Sequence, residues 1–219
     1  MKCPQFHPLI LSAVFFVSLA TSGIPTELAT SAAPKRIELF NGIDLTGWTV
    51  VTDPNKDASA TWSVSDGMIH CSGKPRGFLR THEVFGNYRL RLQWRFPEKA
   101  GNGGVFLHGT VDSKVWPECY EAQLQSGNAG ELRVNGGALF QENSSADEKS
   151  RPRLADSSER PLGEWNDYEI VCQDSNITLF VNGVLQNKLE NSTRKSGWIA
   201  LQSEGGVIDI RAINLEPLD

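Results

Sequence analysis

The chain has 219 residues, of which 39% are hydrophobic and 21% charged, a balance that is ordinary for a globular protein and too apolar for a disordered one. Its 21 basic and 26 acidic residues give a net charge of −5, which argues against a nucleic-acid-binding or lipid-surface protein because both need a basic patch. The 20 glycines and 11 prolines favour a turn-rich β-protein.

The N-terminus is typical of an export signal. Lys2 supplies a positive charge, residues 9–19 form a short apolar stretch, and Ser18-Leu19-Ala20 fits a small-x-small cleavage site. A transmembrane anchor is the alternative, but the apolar run is short for crossing a bilayer. No Cys follows it, which argues against a lipoprotein. We expect a signal peptide at 1–22, a linker at 23–34, one domain at 35–219, and a periplasmic or secreted location.

Three cysteines remain after the signal is removed: Cys71, Cys119 and Cys172. An odd number in an exported protein allows one disulfide and a free thiol, or three buried thiols. Their spacing matches no zinc-site pattern. The sequence does not choose between the pairings.

Alternation with a period of two dominates the rest of the chain and predicts β-strands. The clearest strand is 87–96, in which aromatic and leucine residues alternate with arginines and a glutamine. About a dozen strands without a helix predict two antiparallel sheets in a sandwich, or a barrel. The other predicted strands are 36–40, 47–51, 61–65, 67–71, 77–81, 103–109, 118–125, 131–134, 166–173, 176–182, 197–203 and 206–215.

The polar segment 141–162 interrupts this alternation of apolar and polar residues and contains two prolines. We expect a long exposed loop there. It is either a solvated insertion without a role or a rim over a substrate groove, because long loops in compact domains are often functional.

The predicted strand 118–125 carries the most informative side chains. Tyr120, Ala122 and Leu124 would face the core, and the opposite, polar face would then carry Cys119, Glu121, Gln123 and Gln125. A carboxylate flanked by amides on an open sheet suits the binding of sugar hydroxyls, and a glutamate there is also a candidate general acid or base. Ordinary solvent-facing decoration is the alternative.

Two further clusters supply candidate site residues. In the segment 102–108, the parity of a regular strand puts Phe106 and His108 on one face, where a ring beside a titratable side chain would form a sugar platform; a structural histidine is the alternative. In the segment 202–206, Glu204 either reaches the same face or opens a tight turn. The remaining candidates for substrate binding are Asn102, Gln202, Trp116 and Arg95.

Several common enzyme classes lack their motifs here. The chain has no G-x-S-x-G, P-loop, H-E-x-x-H or dinucleotide fingerprint. The paired-carboxylate pattern E-x-D-x-x-E of laminarinase-type sandwiches is also missing, because Gln123 stands where an aspartate would be. A retaining glycosidase needs two carboxylates about 5 Å apart, so that class is disfavoured.

Motifs spread along the domain resemble the 3-keto-disaccharide hydrolase domain family. They include LFNGIDLTGWTV (39–50), FLRTHEVFGNYRLRLQWRF (78–96), GNGGVFLHG (101–109), WPECYEAQLQSGNAGEL (116–132) and GWIALQSEGGVIDIRAINLEPL (197–218). The resemblance implies a concanavalin A-like jelly-roll sandwich of two antiparallel sheets. It also implies an activity, which is cleavage of glycosides already oxidised at C3 of the sugar ring.

Such a reaction needs a base for the C2 hydrogen, donors to the enolate oxygen and an acid for the leaving group. With the resemblance, Glu121 suits the base, Gln123, Asn102 or an arginine the donors, and His108 or Glu204 the acid. The sequence has no evident cofactor motif and leaves a divalent metal ion open as a Lewis acid. The family's common Asn-Ser-Gly is Asn-Gly-Gly at 102–104, which lacks the hydroxyl.

The expected partner is therefore a carbohydrate, with no nucleic acid and no membrane after signal cleavage; the oligomeric state stays open. The alternative to an enzyme is a non-catalytic carbohydrate-binding domain, because this fold also supports lectins. An interaction or structural module is a third class.

Overall fold

The computed structural model describes Met1 and residues 35–110, 116–138 and 149–219. The predicted signal peptide, apart from Met1, and the whole of the predicted linker lie outside the described residues, so both stay predictions. The strands belong to one unit, Pro34–Asp219. None of the described residues forms a helix long and apolar enough to span a bilayer.

Regular structure in the described part of the chain is entirely β-strand, in agreement with the predicted alternation. The strands are β1 (Ile37–Glu38), β2 (Trp48–Thr52), β3 (Trp62–Ser65), β4 (Met68–Cys71), β5 (Gly77–Thr81), β6 (Tyr88–Arg95), β7 (Gly104–Gly109), β8 (Cys119–Gln123), β9 (Leu132–Asn135), β10 (Ser150–Arg151), β11 (Asn166–Gln173), β12 (Asn176–Val181), β13 (Val184–Leu189), β14 (Trp198–Ser203) and β15 (Ile208–Pro217).

These strands form two antiparallel sheets. The order in sheet A is β13-β12-β11-β6-β15-β4-β3, with β1 also paired to β15, and the order in sheet B is β10-β9-β8-β7-β14-β5-β2. The shared apolar core draws on both sheets, with Leu92 and Trp94 from β6 and Leu107 and Tyr120 from β7 and β8. The two-sheet sandwich is therefore confirmed, and each sheet has an outer face that points away from this core.

Two strands were not predicted. β13 follows the Asn182-Gly183 turn, but its alternation is broken because Val184 and Leu185 are exposed while Gln186 and Asn187 are buried. A register irregularity in the β12–β13 pairing causes this pattern. The second strand, β10, is short and lies inside the predicted loop.

The described part of the predicted loop 141–162 is not simply solvated. β10 pairs with β9, and the buried Asn187 side chain donates hydrogen bonds to the backbone carbonyls of Gly130, Arg151 and Pro152. The Leu154 amide also donates to the Gln186 carbonyl at 2.7 Å. This segment is therefore fixed against both sheets, while residues 141–148 lie outside the described residues.

All three cysteines of the domain are free and buried. This is the second of the two arrangements that the sequence allowed. Burial is the main cause that raises the pKa of each thiol. None of the three is therefore an activated nucleophile.

Candidate active site

The outer face of sheet B carries the candidate site, and it is built by strand parity. Tyr120 and Ala122 point into the core, so Glu121 points outward, directly opposite Phe106 of β7 and Arg133 of β9. Cys119, the neighbour two residues before Glu121, lies opposite Asn135. The predicted polar face of β8 is thus present, and polar groups from β9 extend it.

Glu121 is the buried carboxyl group of this face, with 3% of its surface exposed. Its Oε2 accepts a hydrogen bond of 2.7 Å from Asn135 Nδ2, whereas its buried Oε1 has no hydrogen-bond partner. Burial raises the pKa of Glu121 to about 7, and the negative charge of Glu204 adds to the rise. The Asn135 hydrogen bond and the Arg133 charge oppose it. Near neutral pH this carboxyl is therefore able to take up or release a proton.

A cavity of about 400 Å³ lies against Glu121. Its wall includes Glu204, Arg133, Trp116 and Lys149. The volume is at the small end of the range for ligand pockets and is of a size to hold a single sugar ring. Two carboxyl groups, two cations and one indole ring thus surround one small space.

Glu204 is the residue that directly follows β14, and its side chain lines the cavity. Its Oε2 accepts a hydrogen bond of 2.8 Å from Asn102 Nδ2, so Asn102 fixes the orientation of this carboxyl group. The sequence left open whether Glu204 reaches the face of Glu121 or opens a tight turn, and the structure places it on that face, because both side chains line the same cavity. Asn102 is therefore a positioning residue for Glu204, and its own Oδ1 accepts a hydrogen bond from the Gly103 amide.

Two glutamines on the same face are buried and incompletely paired. Both amide atoms of Gln202 lack a hydrogen-bond partner, and so does Nε2 of Gln123. Gln123 Oε1 accepts from the amides of Leu124 and Gln125, so its other end alone is available. Buried polar groups without partners are costly unless a ligand satisfies them, which makes Gln202 the better candidate for a substrate contact. Gln125 itself lies beyond the end of β8.

An aromatic cluster forms the other half of this face. Phe78 and Trp198 stack with centroids 5.1 Å apart, and Phe106 meets Phe78 edge-on at 5.7 Å. Trp116 packs against this cluster and also lines the cavity. Phe106 is therefore on the predicted face but buried, while Trp116 is partly exposed. Trp198 belongs to this outer cluster and not to the core between the sheets.

The predicted position of His108 is wrong. His108 has a left-handed φ of 55°, and the β7–β14 pairing shifts register beside it, so the strand's parity does not extend to this residue. The buried ring packs edge-on against Tyr88, and its nitrogens face the carbonyls of Arg194 and Gly86. Burial lowers the pKa of His108. The structure does not bring it to the Glu121 cavity.

Arg95 was a candidate for substrate binding, but the structure places it away from the Glu121 cavity. The core-facing residues of β6 alternate with its arginines, so Arg95 points outward from sheet A, on the opposite side of the sandwich. Its Nε donates to Asp209 at 2.9 Å, and its guanidinium lies over the Trp165 ring. The arginine beside Glu121 is Arg133.

Sequence reasoning missed Asn135, Arg133 and Lys149. The first two lie on β9, where Leu132 and Val134 pack into the core and the alternate residues must face Glu121. That parity was available from the predicted strand 131–134. Lys149 lies in the segment that was expected to be a long exposed loop, and no sequence pattern singled it out.

The described residues bring no three His, Cys, Asp or Glu side chains together in an arrangement that would hold a metal ion. The acid–base groups of the cavity are instead the two glutamates. The fold and this polar outer face define a concanavalin A-like jelly-roll domain with a polar site on the outer face of one sheet.

The chain belongs to the family of 3-keto-alpha-glucoside-1,2-lyase-like domains, whose model matches residues 35–216. No curated protein sequence matches it significantly. Among solved structures, a candidate glycosyl hydrolase from Parabacteroides distasonis ATCC 8503 has a TM-score of 0.65 at 19% identity, covering 84% of this chain and 94% of that protein.

Two further structural neighbours show the breadth of the fold. The carbohydrate-binding module CBM66 from Bacillus subtilis has a TM-score of 0.58 at 9% identity, covering 78% of this chain and 95% of that one. The β-glucanase of Bacillus licheniformis has a TM-score of 0.52 at 12% identity, covering 86% and 100%. At these identities the likeness establishes the jelly-roll fold alone.

Proposed function

We propose that this protein is a carbohydrate-active enzyme that cleaves glycosides oxidised at C3, by removal of the C2 proton and elimination of the C1 substituent. The observation that carries the proposal is the state of Glu121. It is a buried carboxyl group with one oxygen held by Asn135, one oxygen without a partner, a pKa of about 7 and a sugar-sized cavity against it. Membership of the 3-keto-glucoside lyase-like family supports the same chemistry.

The chemistry suits a site in which one carboxylate is the base. A 3-keto group acidifies the hydrogen on C2, and Glu121 accepts that proton. The C1–O bond then breaks, its electron pair leaves with the substituent, and a C1=C2 double bond conjugated to the ketone remains. Addition of water puts a hydroxyl group on C1 and a hydrogen on C2, which completes a net hydrolysis. A base with a pKa near 7 is well matched to this work at neutral pH.

The other groups of the cavity take complementary roles. Arg133 is the charged donor nearest in register to Glu121 and suits the enolate oxygen that forms at C3. Glu204, held by Asn102, suits protonation of the leaving oxygen. Outside the cavity wall but on the same face as Glu121, Gln202 has a buried amide without a hydrogen-bond partner, which suits contact with the ring hydroxyls. The proposal places the enzyme in the periplasm or outside the cell, on the strength of residues 1–22.

The test is incubation of the mature protein with a 3-keto-disaccharide and with the same disaccharide unoxidised. We expect release of free sugar from the keto form alone. Run in D₂O and sampled early against an enzyme-free control, elimination followed by hydration puts deuterium on C2 of the released keto sugar. Turnover without deuterium at C2 would contradict the elimination step.

A second function is favoured by one observation, the presence of Glu204 in the same cavity as Glu121. Two carboxyl groups around one sugar site are also the requirement of ordinary glycoside hydrolysis. Release of sugar from the unoxidised disaccharide would support this function instead. Saturable binding of either sugar without any release would support the non-catalytic carbohydrate-binding alternative.

A further inference from the structure

Trp116 separates the Glu121 cavity from a second cavity. The second cavity has a volume of about 610 Å³, and Trp116 lines both. The indole is partly exposed and rests on the cluster of Phe78, Phe106 and Trp198. A ligand seated beside Glu121 would therefore meet the second cavity at this ring.

The second cavity combines mainly apolar walls with an excess of positive charge. Trp116 and Pro75 contribute apolar surface, and the cations are Lys56, Lys74 and Arg76. Long basic side chains of this kind contribute methylene stems to an apolar wall while their charges stay in water. The cavity is thus suited to a flat apolar group that carries or develops negative charge.

Two carboxyl groups, Asp53 and Asp57, also line this cavity. Both are engaged by their own turns, because Asp53 Oδ1 accepts from the Asn55 amide at 2.9 Å and Asp57 Oδ1 from the Ser59 amide at 2.8 Å. Within the described ranges, no ion pair involves the three cations. The excess positive charge is therefore left for a ligand.

A third cavity, which adjoins the Glu121 cavity at Arg133, has a different character. It measures about 710 Å³, shares Arg133 with the Glu121 cavity, and includes Glu131, Arg153 and Asp156. Glu131 is engaged with Arg133 at 2.9 Å. Its polar wall of mixed charge suits hydroxyl groups rather than a developing anion.

We propose that the Trp116 cavity accepts an aromatic leaving group, so that the preferred substrates are aryl 3-keto-glycosides; this inference rests on the proposed function. As the C1–O bond breaks, its electron pair passes to the phenolic oxygen, and the C2 proton passes to Glu121. The aromatic ring stacks on Trp116, and the cations beyond it stabilise the negative charge that develops on the phenolic oxygen before Glu204 protonates it.

The first experiment measures binding and needs no turnover. The dissociation constants of phenyl and methyl β-glucoside, neither of them oxidised, are determined by calorimetry for the wild type and for Trp116→Ala. We expect the phenyl compound to bind about tenfold more tightly than the methyl compound, in keeping with one aromatic stacking contact, and this ratio to fall to near one in the variant. Trp116→Phe should retain most of the ratio.

Trp165→Ala is the matched control, since Trp165 is also partly exposed but lies on the outer face of sheet A under Arg95 and Arg211. It should leave the phenyl-to-methyl ratio unchanged. A wild-type ratio near one, or a ratio that survives Trp116→Ala, would overturn the aromatic site. This result stands whether or not the protein turns over keto sugars.

The second experiment measures turnover of phenyl and methyl 3-keto-glucoside. We expect Arg76→Gln to lower kcat for the phenyl substrate more than for the methyl substrate, since only the former leaves as a phenolate in this cavity. Equal effects on the two substrates would contradict the role of the cations. If the wild type turns over neither substrate, the proposed function fails, while the binding ratio still decides the aromatic site.

Discussion

Gly104 leaves no room for a side chain beside Glu121. A Cβ atom at Gly104 would lie 2.8 Å from Glu121 Oε1, 2.9 Å from its Cγ and 3.1 Å from Gln202 Oε1. The preceding residue differs, because a Cβ at Gly103 would meet only ordinary contacts, at 3.5 Å from the Gln202 carbonyl and 3.6 Å from Ile208 Cδ1. The serine that the family commonly has at the position of Gly103 would therefore fit, and Gly104 is the glycine on which the site depends.

Gly104→Ala should lower kcat/KM by about tenfold or more while the protein still folds, because the Glu121 carboxyl group must move away from its bonded position. Gly103→Ala is the matched control and should stay within about twofold of the wild type, since its new methyl group meets no close contact. Steady-state kinetics on the 3-keto-disaccharide, with circular dichroism as the fold check, measure both. Equal losses in the two variants would show that Gly104 has no special relation to the site.

Much of this site follows from strand parity. The alternation in 118–125 predicts the outward direction of Glu121, and the core positions of Tyr120 and Ala122 confirm it. The same alternation, applied to the next strand, also predicts that Arg133 and Asn135 point outward. It fails at His108, because a left-handed residue beside a register shift ends the alternation.

Parity cannot say which outer face a residue occupies. Arg95 alternates as cleanly as Glu121, yet its strand belongs to the other sheet, and sheet membership depends on long-range pairing that no local pattern records. β13 was missed for a related reason. Its buried residues Gln186 and Asn187 are polar, so they give no apolar alternation. They are buried because they form hydrogen bonds to segments far along the chain.

The pH dependence of turnover tests the role of Glu121. Since burial raises the pKa of Glu121 to about 7, kcat/KM should rise with pH through about 7 if its ionised form is the base. Asn135→Ala removes a hydrogen bond that lowers this pKa, so the midpoint should move to higher pH. Glu131→Gln removes a charge that raises it, so the midpoint should move the other way. A rate that falls through pH 7 would make Glu121 the acid.

The buried side chain of Asn187 should contribute to the stability of the folded protein. Its buried amide donates to three backbone carbonyls, one of them at the end of β10 and one in the residue that follows it. Asn187→Ala leaves these carbonyls without that donor and should lower the free energy of unfolding by about 1–3 kcal/mol. Asn176→Ala, at an exposed position of β12, should cost far less. Urea unfolding measures both, and a neutral Asn187→Ala would show that the segment is held by other contacts.

The outer face of sheet A should contribute stability and no catalysis. Buried Asp209 joins His70 at 2.7 Å and Arg95 at 2.9 Å, which ties β15 to β4 and β6. Asp209→Ala should therefore cost about 2–4 kcal/mol of folding free energy. The control Asp167→Ala, an exposed partner of Arg160, should cost less than about 1 kcal/mol. Arg95→Ala should leave kcat/KM near the wild-type value, and a large loss of activity in a folded Arg95→Ala protein would contradict its exclusion from the site.

Glu121→Gln should separate catalysis from sugar binding. The amide keeps the shape of the carboxyl group but accepts no proton at neutral pH, so kcat should fall by about 10²–10⁴-fold while sugar binding changes far less. If the variant keeps most of its kcat, Glu121 is only a sugar ligand and Glu204 becomes the candidate base.

Glu121→Gln should raise the stability of the folded protein although it lowers its activity. The folded-state pKa of Glu121 lies above its ordinary value of 4.5, so the folded wild type is penalised increasingly as pH rises from about 4.5 through about 7. The glutamine variant has no charge to bury and escapes this penalty. The free energy of unfolding of the variant should therefore rise relative to that of the wild type between pH 5 and pH 8, by up to about 3 kcal/mol for a pKa raised from 4.5 to about 7. Urea unfolding of both proteins at the two pH values measures the gain, and parallel stabilities would mean that the carboxyl group is well solvated in the folded protein.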